Sequence, residues 1–320
     1  MVVITGGIAV ILCIIAILVF IGIETIPLWQ GVKSELANSF VLKESPDLSS
    51  YSLDNPDAKQ FPFLALGTEE YKEIGMIVAN DGAVDFLSLK NGSTIKKVQL
   101  PGLAGTKIIS SYVSNNNKLY SFGTEDGKIL PVSISYTANF DGDKRIIIPD
   151  AKEEEPLIVG TSPLVNIAYE EDEDGNRTAA SYTSEGKLLF SAVTESGGLI
   201  DSGEKKQVTS DLTSALGGSK VTALEIDRSL NNLYAGTNNG KLYQFDIRDK
   251  ENPALLDTLK VSPNSNTPVT ALAFLLGDRS LIVGDGAGDV SVWFEVPDPN
   301  SPRGKILTKI HELPPMEEPV

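Results

Sequence analysis

The chain has 320 residues, 41% of them apolar and 22% charged, which is enough for a real core and too little net charge per residue for general disorder. Asp and Glu number 43 against 27 Lys and Arg, a formal charge of -16 whose field repels phosphate backbones and argues against nucleic acid as a partner. With one Cys and one His in the whole chain, a Cys/His zinc site, a disulfide framework and a Cys/His nucleophilic dyad are excluded.

The first element is apolar. From Val2 to Ile23 no residue carries a charge. At ~1.5 Å per residue this run makes ~33 Å of helix, matching a hydrocarbon core of ~30 Å. Glu24 ends the run, Pro27 blocks further regular helix and Trp29 suits an interfacial layer. A cleavable signal peptide needs a shorter apolar region, basic residues before it and an A-x-A site after it, and none of these is present. Residues 1–29 are therefore expected to anchor the chain in a membrane through residues 2–23. The stretch that follows holds Glu24, Glu35, Glu44 and Asp47 against Lys33 and Lys43, which is no retained basic flank, so the bulk of the chain is expected outside the cytoplasm. Cys13 lies within the apolar run, leaving an outer part free of thiols, as suits an oxidising compartment. Residues 30–60, rich in Ser, Asp and Pro, read as a linker.

Beyond the linker the sequence repeats itself. Five turns each place a Gly before an apolar, alternating strand: NDGAVDFLSL, EDGKILPVSI, SEGKLLFSAV, NNGKLYQFDI and GAGDVSVWFE. Their glycines are Gly82, Gly127, Gly186, Gly240 and Gly288, spaced 45, 59, 54 and 48 residues apart. Gly supplies the positive φ of a tight hairpin, and the alternation is that of a half-buried strand. Strand-like segments precede each turn, and VTALEI (221–226) and VTALAF (269–274) match almost residue for residue. The unit reads as three strands and a variable stretch. A period of ~40–50 with several short strands marks a propeller blade, whereas a β-sandwich has no reason to repeat a whole multi-strand unit.

NNGKLYQFDI and GAGDVSVWFE resemble the third strand of WD40 blades, with Phe245-Asp246 and Trp293-Phe294 where Trp-Asp stands in that family. No Trp-Asp or Gly-His pair occurs, so the expected fold is an all-β, degenerate WD40-like propeller over residues 61–320, with about five blades. Seven are common in WD40-type rings, so an incomplete ring, truncated at the C-terminal end, and a fragment of a longer protein are expected. Across most of its length the chain also resembles the long form of the phosphate ABC transporter permease subunit of bacteria. The resemblance rests on VVITGGIAVIL, IETIPLW and VTALAF followed by LIVGDGAGDVSVWFEVPDP. It departs in lacking a basic segment before the first helix and a polytopic core after the propeller. The resemblance implies an inner-membrane protein with its propeller on the periplasmic side, whose partners are other ABC transporter subunits or another membrane-associated protein.

Motifs for chemistry are sparse. Gly284-Asp285-Gly286-Ala287-Gly288 suggests a dinucleotide fingerprint, but Asp289 stands where the last Gly belongs and a strand follows where a helix is required. No Walker-type phosphate loop occurs. Asp172, Asp174 and Asn176 have calcium-loop spacing, yet Arg177 and Thr183 replace the required Gly and Glu, so the run from Glu170 reads as a solvated acidic hairpin tip. Lys152-Glu153-Glu154-Glu155 reads as a charged loop, and His311 as an exposed residue of a Pro-rich tail. Asn91-Gly92-Ser93 and Asn176-Arg177-Thr178 are acceptor sequons only in a eukaryotic setting. Propellers host carboxylate pairs for glycoside chemistry, but among 43 acids no pair is singled out. The expectation is a non-enzymatic module with no catalytic, metal or cofactor residues. The alternatives are a tethered scaffold or assembly factor unrelated to transport, and an anchored propeller hydrolase.

Overall fold

The computed structural model describes residues 2–26, 39, 63–142, 144–196, 204–263, 266–275, 277–301, 303–316 and 320. The chain divides into two compact units, residues 1–41 and 42–320.

The first unit holds α1 (Val2–Thr25), 24 residues long and so ~36 Å at helical rise. Side chains are described from Ile11 onward, and the large apolar ones, such as Ile17, Leu18 and Phe20, are exposed over half or more of their surface. Among the described residues no helix is long and apolar enough to cross a membrane; the described side chains cover only the second part of α1. Thr25 Oγ1 donates to Gly22 O at 2.9 Å, capping the helix end. Pro27, Trp29 and the expected linker, Ser39 apart, lie outside the described residues.

The second unit is built from five antiparallel sheets that take their strands in chain order. The first is β1 (Phe63–Thr68), β2 (Ile74–Ala79), β3 (Ala83–Ser88) and β4 (Thr94–Gln99). The second is β5 (Ile108–Val113), β6 (Leu119–Thr124), β7 (Lys128–Asp141) and β8 (Lys144–Glu153), with short β9 (Leu157–Ile158) paired to β7. The third is β10 (Leu164–Glu171), β11 (Arg177–Thr183), β12 (Leu188–Ser196) and β13 (Glu204–Asp211). The fourth is β14 (Val221–Ile226), β15 (Asn232–Thr237), β16 (Lys241–Asp246) and β17 (Ala254–Lys260). The fifth is β18 (Val269–Phe274), β19 (Ser280–Asp285), β20 (Val290–Pro297) and β21 (Lys305–Glu312).

The repeating unit thus has four strands, not three. The stretch that looked variable supplies the outermost strand of each sheet. Such a strand is held by one ladder and buries little, so its residues are free of a strong apolar pattern; β17 is exposed or half-buried throughout. Two further local readings change for the same reason. Lys152 and Glu153 close β8 instead of lying in a loop, and His311 lies in β21, exposed.

Successive sheets meet chiefly through their first strands: β5 against β10, β10 against β14, β14 against β18. These strands are the inner strands of a propeller. Each enters with a bulge, at Phe63/Ala65, Ile108/Ser110, Leu164/Asn166, Val221/Ala223 and Val269/Ala271, which raises local twist where the strand turns toward the axis. Polar side chains tie neighbouring inner strands. Ser110 Oγ donates to Leu164 O at 2.6 Å, Asn166 Nδ2 to Thr222 O at 3.1 Å and Thr222 Oγ1 to Val269 O at 2.5 Å.

Apolar cores lie between blades, not within them. Ala168, Phe190 and Ala192 of the third sheet pack with Leu224, Ile226, Leu233 and Phe245 of the fourth. Tyr234 and Leu242 of the fourth pack with Leu281, Val283 and Trp293 of the fifth. Phe245 and Trp293, the residues aligned with the WD40 Trp, are both buried in these cores. Close approach needs a missing side chain: a Cβ on Gly236 would meet Val269 Cγ1 at 2.5 Å, and one on Gly284 would meet Val320 Cγ1 at the same distance. The opposite face of the fifth sheet carries Ile282, Val292 and Phe294, and among the described residues no strand of the first sheet packs extensively on it.

Candidate recognition site at the channel mouth

The inner strands β5, β10 and β14 carry three large polar side chains near their C-terminal ends: Tyr112, Glu170 and Glu225. Tyr112 and Glu225 hold the same register position, two residues past the partner of the entry bulge. At that position the other three blades have Gly67, Ala168 and Ala273. Glu170 lies one strand repeat beyond Ala168 and on the same sheet face.

The three meet. The Tyr112 hydroxyl lies 3.2 Å from Glu170 Oε1 and 3.1 Å from Glu225 Oε1. The Asn115 amide donates to Glu170 Oε1 at 2.7 Å, and Asn115 Nδ2 donates to Ile226 O at 3.0 Å, so blade two reaches across to blade four. Glu170 is 1% exposed and Glu225 4%. A phenol has one proton and can donate to only one carboxylate at a time; the second short contact needs a protonated carboxyl donating to the phenolic oxygen. The geometry therefore implies one shared proton between the two glutamates.

Electrostatics favour protonation of both carboxyls. Burial pushes Glu170 up to about 7, with Asp278 adding to the rise and Arg228 opposing it. Burial likewise pushes Glu225 up to about 8, with Glu170 and Asp278 adding to the rise. The Tyr112 hydroxyl is held well above its ordinary value, first by burial and then by both carboxylates. The three behave as a coupled group.

A cavity of about 420 Å³ opens beside them, lined by Tyr112, Asn115, Asn166, Thr222, Glu225 and Thr270 among others. Glu225 borders it, and Glu170 stands behind, reached through the phenol. A second cavity of about 460 Å³ lies between blades four and five. Its polar groups serve each other: Gln244 Nε2 donates to Glu295 Oε1 at 2.9 Å, Arg303 Nη1 to Asn232 Oδ1 at 2.5 Å, and Asp227 accepts from Asn232. That network reads as an inter-blade tie.

Among the turn glycines, Gly82, Gly127, Gly186, Gly240 and Gly288 have φ of 80, 83, 84, 71 and 89°. All five sit at the opposite end of the blades from the carboxylate pair, in the turns between second and third strands. The Gly284–Gly288 segment is such a turn: Asp285 Oδ1 accepts the amides of Ala287 and Asp289 at 2.9 and 3.1 Å, and β20 follows. The calcium-like spacing also has a local use, since the Asp172 carboxylate accepts from the amides of Asp174 and Asn176 and from Asn176 Nδ2. Glu170, by contrast, does not belong to that solvated tip; it is a buried strand residue, because the inner strand runs through it to Glu171. Among the described residues no group of three or more His, Cys, Asp or Glu is placed to hold a metal.

The carboxylate pair was not singled out by sequence. One cue was present: among the two differences between VTALEI and VTALAF is a Glu for an Ala, in an inner strand where the residues flanking the Glu are buried.

No protein-family model matches the sequence, and no curated protein matches it. Among solved structures the chain is similar to the β-propeller domain of Cps50 (Swd1) from Myceliophteria thermophila, with 16% identity over 78% of this chain and 72% of that one and a TM-score of 0.50. A likeness at that identity speaks to architecture alone: the second unit has the WD40-like β-propeller fold.

Proposed function

We propose that this chain is a membrane-tethered propeller that recognises a protein partner, serving a phosphate ABC transporter permease on the periplasmic side of a bacterial inner membrane. The fold supports an interaction module, since propellers present loops around a channel mouth and commonly bind other proteins. The tether is read from the sequence, from the absence of any charge from Val2 to Ile23. The transporter is supported by the sequence resemblance. A single helix offers no closed path across a bilayer, so the chain does not itself conduct phosphate. With a formal charge of -16 the chain does not gather phosphate from solution either.

The observation that carries the recognition reading is the polar cavity, bordered by Glu225, at the inner-strand ends. Purification of the full chain from membranes tests it. Transporter subunits should come with it, and phosphate should show no measurable binding to the chain alone; measurable phosphate affinity, or a chain that purifies without them, refutes the reading.

One observation also favours the hydrolase alternative, since two buried glutamates with raised pKa lie close together and one of them borders a cavity. Their geometry weighs against it. The Tyr112 hydroxyl occupies the space between the two carboxyls, where a scissile glycosidic bond would have to lie.

A further inference from the structure

We infer that the cavity bordered by Glu225 is a pocket for one cationic side chain, a lysine ammonium or arginine guanidinium, presented by the protein partner. The inference rests on the recognition reading above and names the chemistry of the group recognised.

Three observations carry it. The first is shape: Ala273 stands at the inner-strand position that Glu225 holds one blade earlier, and about 420 Å³ of open space lies beside Glu225. That is room for one long side chain with its water displaced. The second is the lining. Asn115, Asn166, Thr222 and Thr270 give hydrogen-bonding groups around an aliphatic wall of Ile167, Ala271 and Leu272, which matches a methylene stem ending in a charged head. The third is unspent hydrogen-bonding capacity. Glu170 is 1% exposed, and its Oε1 accepts from both the Tyr112 hydroxyl and the Asn115 amide. Thr178, opposite Glu170 in the β10–β11 register and on the same sheet face, has a buried hydroxyl with no partner.

The charges facing the pair are few. From β5 comes Tyr112, from the turn after β18 Asp278, and from the turn after β14 Arg228. No cation lies within salt-bridge distance of Glu170 or Glu225 among the described residues. In the free chain one proton lowers the charge on the pair from -2 to -1. An entering ammonium or guanidinium takes over that task, and the shared proton leaves to solvent. Binding and deprotonation are then linked, so affinity rises with pH.

The test uses the full chain in detergent or nanodiscs and three blocked tripeptides, Gly-Lys-Gly, Gly-Arg-Gly and the uncharged Gly-norleucine-Gly. Calorimetry should show one of the cationic peptides binding at least about tenfold more tightly near pH 8.5 than near pH 6, with about one proton released near pH 7. Glu225→Gln should abolish this binding, while Glu185→Gln, an exposed acid on a distant turn, should leave it unchanged. Thermal melting of Glu225→Gln near pH 7, where the native carboxyl is largely neutral, should match or exceed the native chain and so separate lost binding from lost folding. The inference is overturned if neither cationic peptide binds near pH 8.5, if the norleucine peptide binds equally well, or if Glu225→Gln binds as the native chain does. Loss of peptide binding with transporter association intact would sink this pocket alone; loss of the association itself would sink the recognition reading.

Discussion

Glu170 and Glu225, on neighbouring blades and both buried, are bridged through a single hydroxyl, that of Tyr112 on a third blade. Three inner strands therefore converge on one shared proton, and the stability of the propeller should depend on keeping it.

Both carboxyls have folded-state pKa values raised above the usual range. Between the unfolded value near 4.5 and the folded values near 7 and 8 the native chain binds more protons than the unfolded chain, so stability falls as pH rises through that window. Denaturant titrations should show stability falling by several kcal/mol between about pH 5 and about pH 8.5. The carboxylates of Asp126, Asp150 and Asp246 are shifted the other way, by Lys128, Lys96 and Arg248, and their contribution is lost only as pH falls toward their own low values. Glu225→Gln should flatten the neutral slope and leave the acid limb unchanged. An unchanged neutral slope in that variant would contradict the shared-proton account.

Tyr112→Phe keeps the ring and removes the bridge. Two buried carboxyls then lose a partner, which should cost about 1–3 kcal/mol near pH 7 and steepen the loss of stability above it. Equilibrium unfolding of the variant at two pH values checks both parts.

Inter-blade packing should be intolerant of a side chain at Gly236. A Cβ there would lie 2.5 Å from Val269 Cγ1 and 2.8 Å from its Cβ. Gly236→Ala should destabilise by roughly 1–3 kcal/mol, measured by chemical denaturation, because a well-packed interior does not absorb an added methyl freely. Gly127→Ala should be at least as costly, since φ is 83° and the new Cβ would lie 2.5 Å from the Gly160 carbonyl.

Phe245 is fully buried between blades three and four, in the place of the WD40 Trp. Phe245→Ala should cost about 3–5 kcal/mol, whereas Phe245→Leu should cost less than half of that.

Much of this architecture was legible before any coordinates. The glycine turns and the VTAL pair mark a blade because turn chemistry and alternation are local, and the repeat reports that four-strand units stack on one another. The outer strands were not legible. β17 has no apolar face to impose a pattern, and its pairing is set by the neighbour already in place. The site was the hardest part to read. Tyr112, Glu170 and Glu225 are separated by 58 and 55 residues, and only the closure of neighbouring inner strands brings them to one point. Glu170 was hidden inside an acidic run whose later members do lie in the turn, so composition pointed to solvent where the strand in fact continues inward.

The central claim is that the inner-strand end of a tethered propeller grips a protein. Site-specific photo-cross-linking tests it most directly. A photoreactive residue at Asn117, exposed at that mouth, is compared in cells with one at Ala287, exposed on the opposite Gly-turn end. The account predicts an adduct between Asn117 and a transporter subunit that is absent from Ala287. Adducts from Ala287 alone, or from neither position, would contradict it.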